Sequence, residues 1–277
     1  MTAGSTVVDG RRIAWHAVGS GPPLLLLNGY AATGGDWDPT LLMQLGRSFE
    51  VICPDNRGVG ESELGTGAVS VAGMAADLEA LLDTLELVRV PVAGWSMGGF
   101  VAQQLAARAP ARVEALALLS TDPGGAAAVP AEPEAWARLI DHSGTPREQA
   151  SRLIALLFPP ALAPEIDRQF GEVVAAARAG LRPEALRAQE LAMALWHMED
   201  PLAVAEGGGM GGEAGGTAMP VLIAHGSEDV VIPAANVEPL AARWPGARVE
   251  VFDGGGHAFM AQEPRRLAEL LTTFLDR

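Results

Sequence analysis

Lysine is missing from this 277-residue chain: all 19 basic residues are arginine, set against 34 acidic ones for a net charge of −15. That balance repels polyanions over a Debye length, so nucleic acid is not an expected partner. Without lysine, the phosphate-cradling Gly-x-x-x-x-Gly-Lys loop is impossible. Cysteine occurs once, at Cys53, which excludes a disulfide within the chain and suits a reducing compartment. The apolar runs fall far short of the ~20 residues a membrane helix needs. The opening MTAGSTVVDGRR lacks the basic-then-apolar order of a secretory leader, so the expected location is cytoplasmic, away from membranes. No close set of His, Cys and Glu has metal-ligand spacing, and neither metal nor cofactor is expected. Tyrosine also occurs once, as Tyr30.

What remains is a globular composition, 49% hydrophobic and 19% charged, with enough chain for one large α/β domain. A hairpin is expected over residues 7–18, turning at Asp9-Gly10. Short apolar strands follow at 24–27, 50–53, 91–94 and 113–119. Helix-like segments at 39–47, 71–87 and 100–109 alternate with them. Continuous apolar runs of this kind suit parallel strands covered on both faces.

The rhythm breaks after Asp122. Residues 131–206 carry four helical patterns, 133–141, 146–157, 164–179 and 183–198, and no strand. All four begin with proline near the first turn, where its missing N–H costs nothing. A glycine-rich stretch, EGGGMGGEAGG at 206–216, reads as a linker. Strand and helix then alternate again at 221–224, 234–244, 248–252 and 264–275. The expected organisation is one α/β domain built from 1–130 and 207–277, interrupted by a helical insertion at 131–206.

The strongest chemical signal is VPVAGWSMGGF at 91–100. It sets Gly94-Trp95-Ser96-Met97-Gly98 between a buried strand and a helix. So sharp a turn strains the backbone of Ser96, exposes its hydroxyl, and leaves room only for small residues two before and two after. The pattern alone is common; the strand–turn–helix setting gives it weight. A serine nucleophile needs a base, and the base an orienting acid. Of five histidines, His257 alone lies in a glycine-rich loop after a late strand (FDGGGHAF). His16 falls in the hairpin, and His142 and His197 in the insertion, where packing or surface roles are expected. His225 is expected to shape the loop of the acid, Asp229. Asp122, in LLSTDPGG, follows another strand and is the alternative carboxylate.

These motifs resemble the α/β-hydrolase fold, over nearly the whole chain except the helical insertion and the glycine linker. The order Ser96, Asp229, His257 is the order of that fold's catalytic triad. DNRGVGES at 55–62 resembles the family's Asp-x-Arg-Gly-x-Gly-x-Ser loop, whose role there is structural; Asp55 and Arg57 are expected to fix it as a pair. The insertion occupies the place of the family's helical cap. The resemblance implies attack by Ser96 on a carbonyl, then hydrolysis of an acyl-enzyme by water activated at His257. Branches that dehalogenate or open epoxides carry Asp at the nucleophile position, where this chain has serine. GWSMGGFVAQQLA is most similar to small-molecule esterases and enol-lactonase-like enzymes. A small-molecule ester or lactone is therefore the expected substrate, with thioester, carbon–carbon and cofactor-free perhydrolase chemistry as alternatives. A non-catalytic ligand binder of the same fold is the alternative from another class. Seven arginines in the insertion face twelve acidic residues, against a phosphate-docking patch. Trp95, Trp136, Phe158, Met193 and Trp196 are the candidate pocket residues, and oligomeric state is left open.

An oxyanion needs two donors. Met97 N–H, at the start of the helix, is one; by resemblance the second comes from the loop after the strand at 24–27, here NGYAAT, through the Tyr30 N–H. Relatives usually have His-Gly where this chain has Asn28-Gly29, so this loop is expected to be pinned differently.

Overall fold

The computed structural model describes residues 2–198, 202 and 219–275. Eight strands form one sheet in the order β1-β2-β4-β3-β5-β6-β7-β8. They are β1 (Thr2–Val8), β2 (Arg11–Gly19), β3 (Pro23–Leu27), β4 (Glu50–Pro54), β5 (Val90–Trp95), β6 (Val113–Leu119), β7 (Val221–Gly226) and β8 (Arg248–Phe252). β1 and β2 pair antiparallel, as do β2 and β4, while all pairs from β4 to β8 are parallel. The hairpin turns where expected, with Asp9 at φ 49° and Gly10 at φ 76°, the two positive values a two-residue hairpin turn demands. It reaches back to Thr2, beyond the expected start at residue 7. Main-chain pairing such as Thr2 with Ala17 extends a strand whose TAGST start has no clear apolar alternation.

Strand side chains alternate between two cores, because successive residues point to opposite faces. On β3, Leu25 and Leu27 enter one core and Leu24 and Leu26 the other; on β6, Leu116 and Leu118 are opposed by Ala117 and Leu119. The first core is covered by α2 (Val71–Thr84), α3 (Met97–Arg108) and α8 (Val237–Arg243). The second is covered by α1 (Pro39–Leu45) and α10 (Pro264–Leu275), which places Leu267, Leu271 and Phe274 inward at helical spacing. Between β6 and β7 lie α4 (Pro133–Leu139), α5 (Pro146–Leu157), α6 (Ala163–Ala179) and α7 (Pro183–Met198), and α9 (Phe259–Gln262) follows β8. Thr145 and Glu148 close a reciprocal capping box at the start of α5. The predicted linker at 206–216 lies outside the described residues, as does the end of the predicted insertion.

The Asp55 loop is fixed differently from expectation. Arg57 does not pair with Asp55; its guanidinium grips Asp77 of α2 through two nitrogens and donates to the Gly73 carbonyl at 3.0 Å. The planar fork matches a carboxylate held side-on by a helix, which Asp55 does not offer. Asp55 instead accepts from the Gly34 and Glu61 N–H groups at 2.8 and 3.0 Å.

Candidate active site

β5 runs directly into α3, and the one residue between them, Ser96, is driven to φ 55° and ψ −124°. The turn is possible because its flanks lack side chains. A Cβ on Gly94 would lie 2.3 Å from the Gly98 carbonyl oxygen, and one on Gly98 2.3 Å from the Leu27 carbonyl oxygen. The strain is held from three sides: Ser96 N–H donates to Leu119 at 2.9 Å, Thr121 Oγ1 donates to the Ser96 carbonyl at 2.9 Å, and the Gly99 N–H to the same carbonyl at 2.8 Å. Ser96 is 8% exposed, on the wall of a cavity of about 480 Å³.

Asp229 follows β7 and His257 follows β8, neighbouring parallel strands that end on the same side of the sheet. Their side chains meet at 2.8 Å, Asp229 Oδ2 to His257 Nδ1, with both buried. Asp229 Oδ1 accepts the Val231 and Ile232 N–H groups, each at 2.9 Å. Burial alone would raise this carboxyl. The facing His257, followed by His225 and the Ile232 N–H, outweighs burial and holds the group below its ordinary value. An ionised Asp229 accepts only, so Nδ1 of His257 carries the proton and Nε2 is left with its lone pair.

His225 does shape this loop. Its Nε2–H donates to the Ile232 carbonyl at 2.8 Å, and burial lowers its pKa, keeping it neutral beneath Asp229. Trp95 ties the histidine loop to the serine turn: its Nε1–H donates to the His257 carbonyl at 2.9 Å, and its ring lies 5.1 Å from the imidazole.

The loop after β3 approaches the serine closely, since a Cβ on Gly29 would sit 3.1 Å from Ser96 Cβ. Asn28 pins it. Asn28 Nδ2 donates across the loop to the Thr33 carbonyl at 2.6 Å, its Oδ1 accepts the Gly29 N–H at 2.9 Å, and its carbonyl accepts from Asn56 Nδ2 at 3.0 Å. Among the described residues, neither the Tyr30 nor the Met97 N–H is taken by a protein acceptor. The Tyr30 ring turns towards α7, where its hydroxyl donates to Glu190 Oε1 at 2.5 Å. Burial first, and Glu190 second, push the phenol well above its usual value. The hydroxyl is thus an O–H donor committed to Glu190.

The cavity lining departs from expectation. Trp136 and Met193 line it, together with Phe100, Leu139, Val129 and Ile232. Trp95 does not, because it braces His257; Phe158 is half-buried against the second core. Trp196 is buried, stacked on Phe100 at 5.0 Å with its Nε1–H on Asp122. Large apolar residues in the insertion signal burial, but not which face of a helix meets the cavity. Among the described residues Asp122 shares no hydrogen bond with His257, whose carboxylate partner is Asp229. Asp122 accepts from Gly124 N–H at 2.8 Å, Trp196 Nε1–H at 3.1 Å and His197 Nε2 at 3.0 Å. His197, expected to be a packing or surface residue, lines the cavity beside it. Among the described residues no group of three His, Cys, Asp or Glu side chains could hold a metal ion, and no helix is long and apolar enough to cross a membrane.

Comparison with known proteins agrees with this architecture. A family model described as alpha/beta hydrolase fold matches residues 22–264. An uncharacterized protein of Mycobacterium tuberculosis is 30% identical over 293 residues, covering 97% of this chain and 80% of its own. Among solved structures, a hydrolase from Pseudomonas aeruginosa superposes with a TM-score of 0.80 at 28% identity, covering 99% of this chain and 98% of its own. A thermophilic esterase from Thermogutta terrifontis gives 0.74 at 27% identity, covering 98% and 96%. With its sheet order, its strand-to-helix serine turn and these matches, the chain belongs to the α/β-hydrolase fold family and is a hydrolase.

Proposed function

We propose that this hydrolase cleaves a small to medium carboxylic ester or lactone, with Ser96 as nucleophile, His257 as general base and acid, and Asp229 as the group that orients it. The observation that carries the reading is the buried 2.8 Å contact of Asp229 with His257 Nδ1, in a molecule whose Ser96 is strained onto a cavity wall. It leaves Nε2 as the nitrogen that takes the serine proton.

In the first half-reaction Ser96 Oγ bonds to the carbonyl carbon as its proton passes to His257 Nε2. The carbonyl electron pair moves onto oxygen, where the Tyr30 and Met97 N–H groups receive it, aided by the positive end of α3. Collapse breaks the bond to the alkoxide, which leaves with the proton from Nε2; in a lactone it stays tethered to the acyl group. Water then gives a proton to Nε2 and bonds to the acyl carbon. The second collapse releases the acid and returns the proton to Ser96. The imidazolium formed twice in the cycle faces an Asp229 already ionised, so no reorganisation of charge is needed there.

The segment carrying α4 to α7 acts as a cap in this reading, with Trp136, Leu139 and Met193 roofing the substrate. The apolar lining favours an apolar acyl or alcohol portion. The likeness to an esterase at 27% identity supports the same class. The test is a chain-length series of p-nitrophenyl esters set against the matching acyl-coenzyme A thioesters. The ester series should turn over with an optimum at short to medium chains. Faster turnover of the thioesters would move the assignment to a thioesterase.

A further inference from the structure

One polar feature of the cavity is unused by this chemistry. Beyond Ser96, the ionisable side chains on its wall are Asp122 and His197, surrounded by Phe100, Val129, Leu139 and Met193. Asp122 follows β6, and His197 lies in the last turn of α7. Asp122 is 3% exposed, and its carboxylate accepts from three donors. His197 therefore points its Nε2–H at Asp122 Oδ2, 3.0 Å away, and Nδ1 is the nitrogen that remains as an acceptor. Its ring stands edge-on to Phe100 at 5.6 Å and 85°, while 36% of the side chain stays open. A buried carboxylate this well fixed holds one imidazole tautomer in place, as Asp229 does for His257.

We propose that the Asp122–His197 pair is a substrate anchor: it selects esters or lactones that carry a hydroxyl at a distance from the scissile carbonyl. This rests on the ester or lactone reading of Ser96. A hydroxyl donates to Nδ1 and so places a polar group where the apolar wall would otherwise leave it unpaired. A carboxylate at the same place meets a lone pair backed by a negative charge and is disfavoured. An alkyl chain fits the wall but leaves Nδ1 without a partner, which is how a polar site rejects an apolar analogue.

The experiment compares methyl hexanoate, methyl ω-hydroxyhexanoate and monomethyl adipate by pH-stat titration of the full chain. The hydroxy ester should show kcat/KM at least about tenfold above the alkyl ester, with the adipate slowest. His197→Phe should collapse the hydroxy-to-alkyl ratio towards one, and His197→Asn, which keeps a polar atom near Nδ1, should restore part of it. Equal rates for hydroxy and alkyl esters, a preference for the adipate, or a ratio unchanged in His197→Phe would each overturn the anchor. If none of the esters is hydrolysed, the ester reading fails by itself. Calorimetric binding of the hydroxy and alkyl esters to Ser96→Ala protein then decides the anchor without turnover: tighter binding of the hydroxy ester supports it, and equal binding overturns it.

Discussion

Gln189 Oε1 accepts the N–H of Ala31 at 3.0 Å, while Gln189 Nε2 donates to the Arg57 carbonyl at 2.9 Å. One fully buried amide of α7 thus holds both the loop that carries Tyr30 and the loop after β4. Next to it, Glu190 takes the Tyr30 hydroxyl, and His142 Nε2 lies 2.6 Å from the same carboxylate. Arg178 can only donate to His142 Nδ1, at 3.3 Å, so the imidazole hydrogen sits on Nε2 and points at Glu190. The helical segment therefore sets the position of the Tyr30 N–H.

Gln189→Leu leaves a buried N–H and a buried carbonyl without partners, at about 1–3 kcal/mol for each. The melting temperature should fall. If Tyr30 N–H receives the oxyanion, kcat should also drop by about tenfold or more with little change in KM. A rise in KM at constant kcat would mean that the loop serves ground-state binding instead.

The serine turn stores strain that glycine can release. Ser96→Gly removes the φ 55° penalty of about 1–3 kcal/mol and adds back about 0.5–1 kcal/mol of chain entropy. Ser96→Ala keeps the strain. Chemical denaturation should therefore find Ser96→Gly more stable than Ser96→Ala, with both inactive. The reverse order would show that the turn is relaxed.

Gly98→Ala tests the same turn from its other side. Its Cβ would meet two backbone carbonyls, Leu27 at 2.3 Å and Asn28 at 2.7 Å, neither of which can rotate away. The expected cost is about 3 kcal/mol or more, with loss of activity. A stable, active variant would place the end of β3 farther from α3 than described.

Acid lability follows from two buried groups. His225 has a folded pKa depressed below its unfolded 6.5, so its contribution is complete above that value and is lost as pH falls from there through the folded value. Asp229, also depressed, contributes above its unfolded 3.8 and loses that contribution as pH falls through its lower folded value. The melting temperature should decline as pH falls below about 6.5, and His225→Gln should flatten that decline. An equal slope in the variant would assign the acid sensitivity elsewhere.

Much of this was legible in the sequence for reasons the structure makes plain. Ser96 announces itself because a strand-to-helix turn needs glycines at fixed offsets, and Gly94 and Gly98 are close in sequence. Asp229 and His257 are readable through the order of the motifs that the family resemblance supplies, and they meet across adjacent strands. The partner of Arg57 is not legible in the sequence, because Asp77 belongs to a helix that reaches the loop only in the folded sheet. The pairing of Asp122 with His197 spans 75 positions and leaves no local pattern. Trp196 and Met193 lie three residues apart on α7, yet one faces Phe100 in the core and the other the cavity. Composition alone does not separate those faces.

The central claim is that Ser96 is a nucleophile activated by His257. Its most direct test is labelling of the folded protein by a serine-directed fluorophosphonate, with mass mapping of the modified peptide. The account predicts one adduct per chain, on Ser96. It also predicts that His257→Ala slows labelling and ester turnover by about a thousandfold or more while the protein stays folded. A folded chain in which Ser96 stays unmodified, or labels as fast without His257, would contradict it.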